Sequence, residues 1–149
     1  MAIRFQSEDT TFDIRGGKRA VGAWMRASAA EEGFSVGEVA VIFCSDAYLL
    51  EMNRRYLEHD YYTDIITFDY TAGFVLSGDL FISVDTVRAN AEEYGMMFHV
   101  ELLRVIIHGI MHLAGYKDKS DDEARTMRER EDHYLAKRPD DLLTHVKHT

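Results

Sequence analysis

The stretch from Val100 to Leu113 constrains the fold more than any other part of the chain. Leu102, Leu103, Ile106, Ile107 and Ile110 recur along it at helical spacing, and Gly115 stops it two residues on. A helix this apolar has to be covered by other elements. The chain has 149 residues, of which 46% are hydrophobic and 29% charged, enough for one core and one domain spanning 1–149. No apolar run approaches the roughly 18 residues needed to cross a bilayer. MAIRFQSEDT at the N-terminus is polar where a signal peptide would be apolar, and the single cysteine, Cys44, has no internal partner. The expected setting is a reducing cytoplasm without membrane attachment. A net charge of −9 argues against broad, sequence-independent nucleic-acid binding. It leaves room for a local basic groove, and RGGKR and NRR are basic islands.

Around this helix the sequence reads as α+β, with a small mixed sheet of about four strands. Ile3 and Phe5 alternate with polar neighbours and TTFDIR repeats the period, predicting two short opening strands. Ala20, Val21, Trp24, Met25 and Ala29 mark a helix from Lys18 to about Glu32, closed by Gly33. GEVAVIFCS suits a strand buried on both faces, with Cys44 a small hydrophobe in it. Ser45 and Asp46 open a helix through Tyr56. TDIITFDY and DLFISV read as strands separated by Gly73 and Gly78, and Asp85 as the cap of a helix ending at Gly95. Ser120 with Glu123 fits a capping box for a last helix running to about Lys137, before Pro139.

Chemistry concentrates at His108-Gly-Ile-Met-His112-Leu-Ala-Gly115-Tyr-Lys-Asp118. Residues four apart share a helix face, so both imidazoles can bind one ion, and the turn at Gly115 can return Asp118 as a third ligand. The pair alone reads equally as two solvated or core histidines. The pattern varies the H-E-x-x-H-x-x-G-x-x-H zinc signature of metzincin proteases. Gly109 replaces the general-base glutamate, which argues against a peptidase of that mechanism, and it suggests an open notch beside the metal.

At these residues the chain resembles the YbeY family of bacterial metal-dependent endoribonucleases, which act in ribosomal RNA maturation. HGIMHLAGYKD follows that family's H-G-x-x-H-L-x-G-Y-D-H. MNRRYLEHDYYTDIITF is similar to its L-N-x-x-Y-R-x-x-D-x-x-T-D-V-L-S-F block through Asn53, Tyr56, Asp60, Thr63, Asp64 and Phe68, and SGDLFIS to its G-D-I-x-I-S strand through Gly78 and Asp79. The resemblance implies one zinc ion on His108, His112 and Asp118. Asp118 stands where the family has a histidine, which opens the site to harder divalent ions. Asp121 or Asp122 is the competing ligand. It further implies cleavage of single-stranded RNA near the 3′ end of 16S ribosomal RNA, with the small subunit or its proteins as partners.

Leu57 stands where the family carries an arginine. Arg54, one turn earlier, is the candidate replacement on phosphate, against the alternative of a solvated surface arginine. Candidate catalytic residues are therefore Arg54, His108 and His112, and candidate substrate contacts Arg54, Arg55, Asp64 and Asp79, although capping and turn hydrogen bonds are the commoner use of aspartates at strand ends like the last two. His59, His99, His133, His145 and His148 read as surface residues, Trp24 as core, and Tyr61-Tyr62 as possible base-stacking residues. Two rival functions remain: a non-catalytic ribosome-assembly factor with a structural metal, and a small metal-dependent hydrolase of another substrate.

Overall fold

Burial begins at the strand Ser35–Cys44, whose run of β-branched and small residues is enclosed for nearly its whole length. The computed structural model describes residues 2–59 and 63–146, so Asp60, Tyr61-Tyr62 and His148 lie outside the described residues. In chain order the elements are β1 (Ala2–Ser7), α1 (Lys18–Glu31), β2 (Ser35–Cys44), α2 (Asp46–Leu57), β3 (Ile65–Asp69), β4 (Val75–Ser83), α3 (Val84–Tyr94), α4 (Phe98–Leu113) and α5 (Asp121–Ala136). The sheet runs β1-β2-β4-β3. β2 pairs in parallel with β1 and β4, whereas β3 runs antiparallel to β4 at the edge. This is the expected small mixed α+β sheet.

Alternation along β4 divides the molecule. Leu76, Leu80 and Ile82 enter the main core with α1, α3, α4 and α5, including Trp24, Leu102, Ile106 and Ile110. Phe81 turns the other way and packs with Phe68, Tyr48 and Met52 around Cys44, Leu49 and Ile66, under α2. Trp24 is core, as its helical stripe implies, and its indole N–H donates to the Tyr134 carbonyl at 2.9 Å. Burial pushes the Cys44 thiol up to about 12, so it is an inert hydrophobe.

Three local readings need correction. TTFDIR forms no strand, yet Phe12 and Ile14 are buried. Its period of two records which side chains enter the core, with no backbone ladder. The helix after β4 is capped by Ser83, whose hydroxyl accepts from Thr86 N–H at 3.1 Å. Asp85 lies in that helix's first turn and accepts from the backbone N–H of Asp46 at 3.0 Å, so it serves the start of α2. Gly78 separates no strands; it lies inside β4. A Cβ there would stand 2.5 Å from the Phe68 carbonyl oxygen and 2.8 Å from Leu113, so glycine is what lets α4 and β3 close on β4 together.

Glu32, just past α1, ties three elements together. It accepts from the Tyr116 hydroxyl at 2.7 Å, from the Tyr134 hydroxyl and from Arg130 at 3.4 Å. Burial pulls its carboxyl up, but the bonds from Tyr134, Tyr116 and Arg130 outweigh that and hold it below its ordinary 4.5.

Two tests follow from this packing. Gly78→Ala should lower stability by about 1–3 kcal/mol in a denaturant titration, because backbone has to move to admit the methyl group. Because its folded value is depressed, Glu32 contributes stability above about pH 4.5 that is lost as pH falls through the folded value. Glu32→Gln should therefore be less stable than wild type at pH 7 by about 1–2 kcal/mol, with the gap narrowing in acid.

Candidate metal centre

His108 and His112 lie one turn apart near the end of α4, their ring centroids 4.6 Å apart. Gly115 follows at φ +102, a left-handed conformation open to glycine, and swings the chain back toward them. Asp118 arrives on that return. Its Oδ2 is 3.2 Å from His108 Nε2 and 3.5 Å from His112 Nε2, and the two Nε2 atoms are 3.0 Å apart. Tetrahedral ligands at about 2.0–2.2 Å from an ion lie about 3.3 Å from each other, so this donor set fits a divalent cation such as zinc. These three residues are a group able to hold a metal ion. Asp121 and Asp122 are exposed at the start of α5, where Asp122 pairs with Arg125 at 2.9 Å.

A second layer orients the ligands. Glu131 of α5, almost fully buried, stands 2.6 Å from His108 Nδ1 and 3.0 Å from the Arg104 guanidinium. Arg104 also donates to Asp132 at 2.8 Å. In neutral His108 this places the ring proton on Nδ1, directed at Glu131, and leaves the Nε2 lone pair facing the site. Burial pulls His108 down, and Glu131 outweighs it, leaving His108 above its ordinary value. His112 is pushed below its ordinary value, first by burial and then by the charge of His108. Glu131 and Arg104 were missed in the sequence because their partners lie across a helix pair, at no motif spacing.

Gly109 opens no notch. A Cβ there would lie 2.9 Å from the Leu80 methyl carbons and 3.0 Å from Ile65. The position is one residue round from His108 and faces the sheet, where β-strand side chains already fill the space. Its glycine permits close packing of α4 on the sheet.

The three donors open into a cleft of about 520 Å³ along the free side of β3, between α2 and α4. Asp64, Leu57, His59, Asn53 and Lys119 line it beside them. Burial raises the Asp64 carboxyl, against the pull of His108. His59 is exposed as expected, yet it belongs to this cleft, and Lys119 is a cation here that the motif reading passed over. His133 pairs with Glu31 at the surface, and His145 meets the Arg15 carbonyl at 2.9 Å. Arg54 is exposed on α2 and is not among the lining residues; Leu57 is. Arg55 and Asp79 line a different hollow, under α2.

Glu131 should matter through charge as well as position. Glu131→Gln should weaken zinc binding roughly 10–100-fold, the usual cost of an outer-shell change. Competition with a coloured chelator measures it, and an unaltered affinity would remove Glu131 from the centre.

Comparison with known proteins identifies the family. The family described as Endoribonuclease YbeY matches residues 2–138. An Endoribonuclease YbeY of Bacteroides thetaiotaomicron is 54% identical over 139 residues, covering 93% of this chain and 100% of that protein. One from Parabacteroides distasonis is 51% identical over 141 residues, covering 95% and 99%. The solution structure of a Thermotoga maritima protein superposes with a TM-score of 0.63 at 29% identity, covering 90% of this chain and 87% of that one. The chain belongs to the YbeY family of endoribonucleases.

Proposed function

We propose that this protein is a single-strand-specific, metal-dependent endoribonuclease that matures the 3′ end of 16S ribosomal RNA and serves ribosome biogenesis and quality control in the cytoplasm. The observation that carries the reading is the convergence of His108, His112 and Asp118, whose donor atoms lie within 4.8 Å of one another at the edge of an open cleft. Three protein donors suit a catalytic ion better than a structural one, which four ligands usually close. Zinc is the proposed cofactor, with the Asp118 carboxylate admitting harder ions such as manganese. A bound ion supplies Lewis-acid polarisation of a phosphoryl oxygen and a more acidic water.

The chain's own residues supply the rest. Glu131, held by Arg104, fixes the His108 ring so that Nε2 stays directed into the site. Asp64 presents a second carboxylate to the cleft, and Lys119 brings positive charge to it. Lys119 follows Asp118 directly, so the turn that completes the ligand set also delivers a phosphate-binding cation. Arg54 and Arg55 add positive charge on α2 outside the cleft, while Leu57, which lines it, contributes none. The chain's overall charge of −9 favours such local placement, because it offers a polyanion no long-range attraction.

The reading is tested with end-labelled single-stranded RNA and zinc-loaded protein, beside a His108→Ala/His112→Ala protein purified identically. Cleavage confined to the wild type is the expected result. No cleavage, with zinc confirmed bound, would favour the ribosome-assembly factor. In the active protein Lys119→Ala should raise KM for RNA several-fold, and Arg54→Ala should do likewise if it meets phosphate. An Arg54→Ala protein equal to wild type in affinity and cleavage assigns Arg54 to the solvated surface.

A further inference from the structure

On the α2 side of the sheet lies a second hollow of about 440 Å³, within the roughly 300–1,000 Å³ of small-ligand sites. Five aromatic rings line it: Tyr48, Tyr56, Phe68, Tyr70 and Phe81. Tyr48 and Phe81 lie nearly parallel, 19° apart with centroids at 6.4 Å, while Phe68 meets Phe81 edge-on at 5.8 Å and Tyr56 meets Phe68 edge-on at 6.2 Å. Tyr56 and Tyr70 are 59% and 62% exposed, so a large flat area faces solvent. Asp79 stands half-buried among these rings, and among the described residues its carboxylate has no hydrogen-bond or ion-pair partner. Arg55 sits there too, paired with Glu51 at 3.6 Å in an exposed contact of little strength.

We propose that this recess is a nucleobase-binding subsite with a preference for guanine, the base stacking on the tyrosine rings and Asp79 accepting from its Watson–Crick edge. An apolar side chain seated there would bury the Asp79 carboxylate without a partner, a costly arrangement. A base brings both a ring face for the aromatics and N–H groups for the carboxylate. The carboxylate has two acceptor oxygens and no donor. Guanine alone among the RNA bases offers it two adjacent donors, N1–H and N2–H; uracil, cytosine and adenine each set one donor beside an acceptor.

The recess is also joined to the metal cleft through shared elements. Met52 and Tyr56 of α2 face the recess while Asn53 and Leu57 face the cleft; on β3, Phe68 faces the recess while Thr67 and Asp69 face the cleft. A single strand crossing the edge formed by β3 and the end of α2 meets both. That juxtaposition rests on the RNA-cleaving reading above, whereas occupation of the recess by guanine does not require cleavage.

The experiment is an NMR titration of metal-free protein with guanosine monophosphate, and with the adenosine, cytidine and uridine monophosphates. Guanosine monophosphate should bind most tightly and shift resonances of the aromatic recess. Tyr56→Ala and Tyr70→Ala, both at exposed positions, should each raise its Kd roughly 5–150-fold, the cost of one lost base stack. Asp79→Asn should bring the four nucleotides within about twofold of one another, since a good bidentate pair carries roughly a 5–150-fold preference. Shifts confined to the metal cleft, no shifts at all, or unaltered binding by the two tyrosine variants would overturn the proposal. Metal-dependent RNA cleavage with no nucleotide in the recess would remove the subsite and leave the nuclease. Nucleotide in the recess of a protein that cleaves no RNA would do the reverse.

Discussion

The close approach of α4 to β4 is the contact on which the rest of the structure depends. Two glycines make it possible from opposite partners: Gly109 on the helix gives way to Leu80 of the strand, and Gly78 in the strand gives way to Leu113 of the helix. With both in place the helix lies flat on the sheet, burying Leu102, Ile106 and Ile110 on one side. His108 and His112 are turned by the same geometry to the helix's remaining polar face, at the sheet's open edge. A helix held further off would lose packing along its whole length and would also move both imidazoles away from the cleft.

Asp118 depends on a different support. Its place is set by the turn after Gly115, and that turn is held from behind by Tyr116, whose hydroxyl donates to Glu32 beyond α1. Tyr134 and Arg130 of α5 bind the same carboxylate. α5 also supplies Glu131 to His108. One helix therefore braces the third ligand through Glu32 and orients the first through Glu131. A charged group this enclosed is expensive unless fully paired, and both acids are paired several times over. That explains how the three candidate metal donors are held in register between a rigid helix and a loop.

Much of this was legible in the sequence, and the limits have physical causes. The ligand triad could be read because helical periodicity and a glycine turn are local, and local geometry brings positions 108, 112 and 118 together. Ser120 with Glu123 was legible for the same reason, since a capping box is closed within one turn. Phe12 and Ile14 mark one limit: a period of two says which side chains are buried, while a strand also needs a partner backbone. Gly109 suggests a gap beside the metal only by contrast with the glutamate of the protease signature. The residue's direction depends on what the helix rests on, which only the packed structure shows. Glu131, Arg104 and Lys119 were invisible because their roles come from α5 and the turn folding back on α4.

An acidic protein that handles RNA has to concentrate its attraction. With 26 acidic residues against 17 basic ones, long-range electrostatics oppose approach of a polyanion. On the proposed reading, affinity comes from contacts that function at short range: a cation held by three ligands, a lysine beside it, and flat rings whose stacking does not depend on charge. These features flank a single edge of the sheet, formed by β3 and the end of α2. The arrangement also bears on specificity. A basic groove holds any nucleic acid, whereas rings and an acceptor carboxylate demand an unpaired base turned outward, which a duplex does not offer. On the proposed reading the acidic charge works with the site, disfavouring structured RNA while the edge of the sheet retains an exposed single strand.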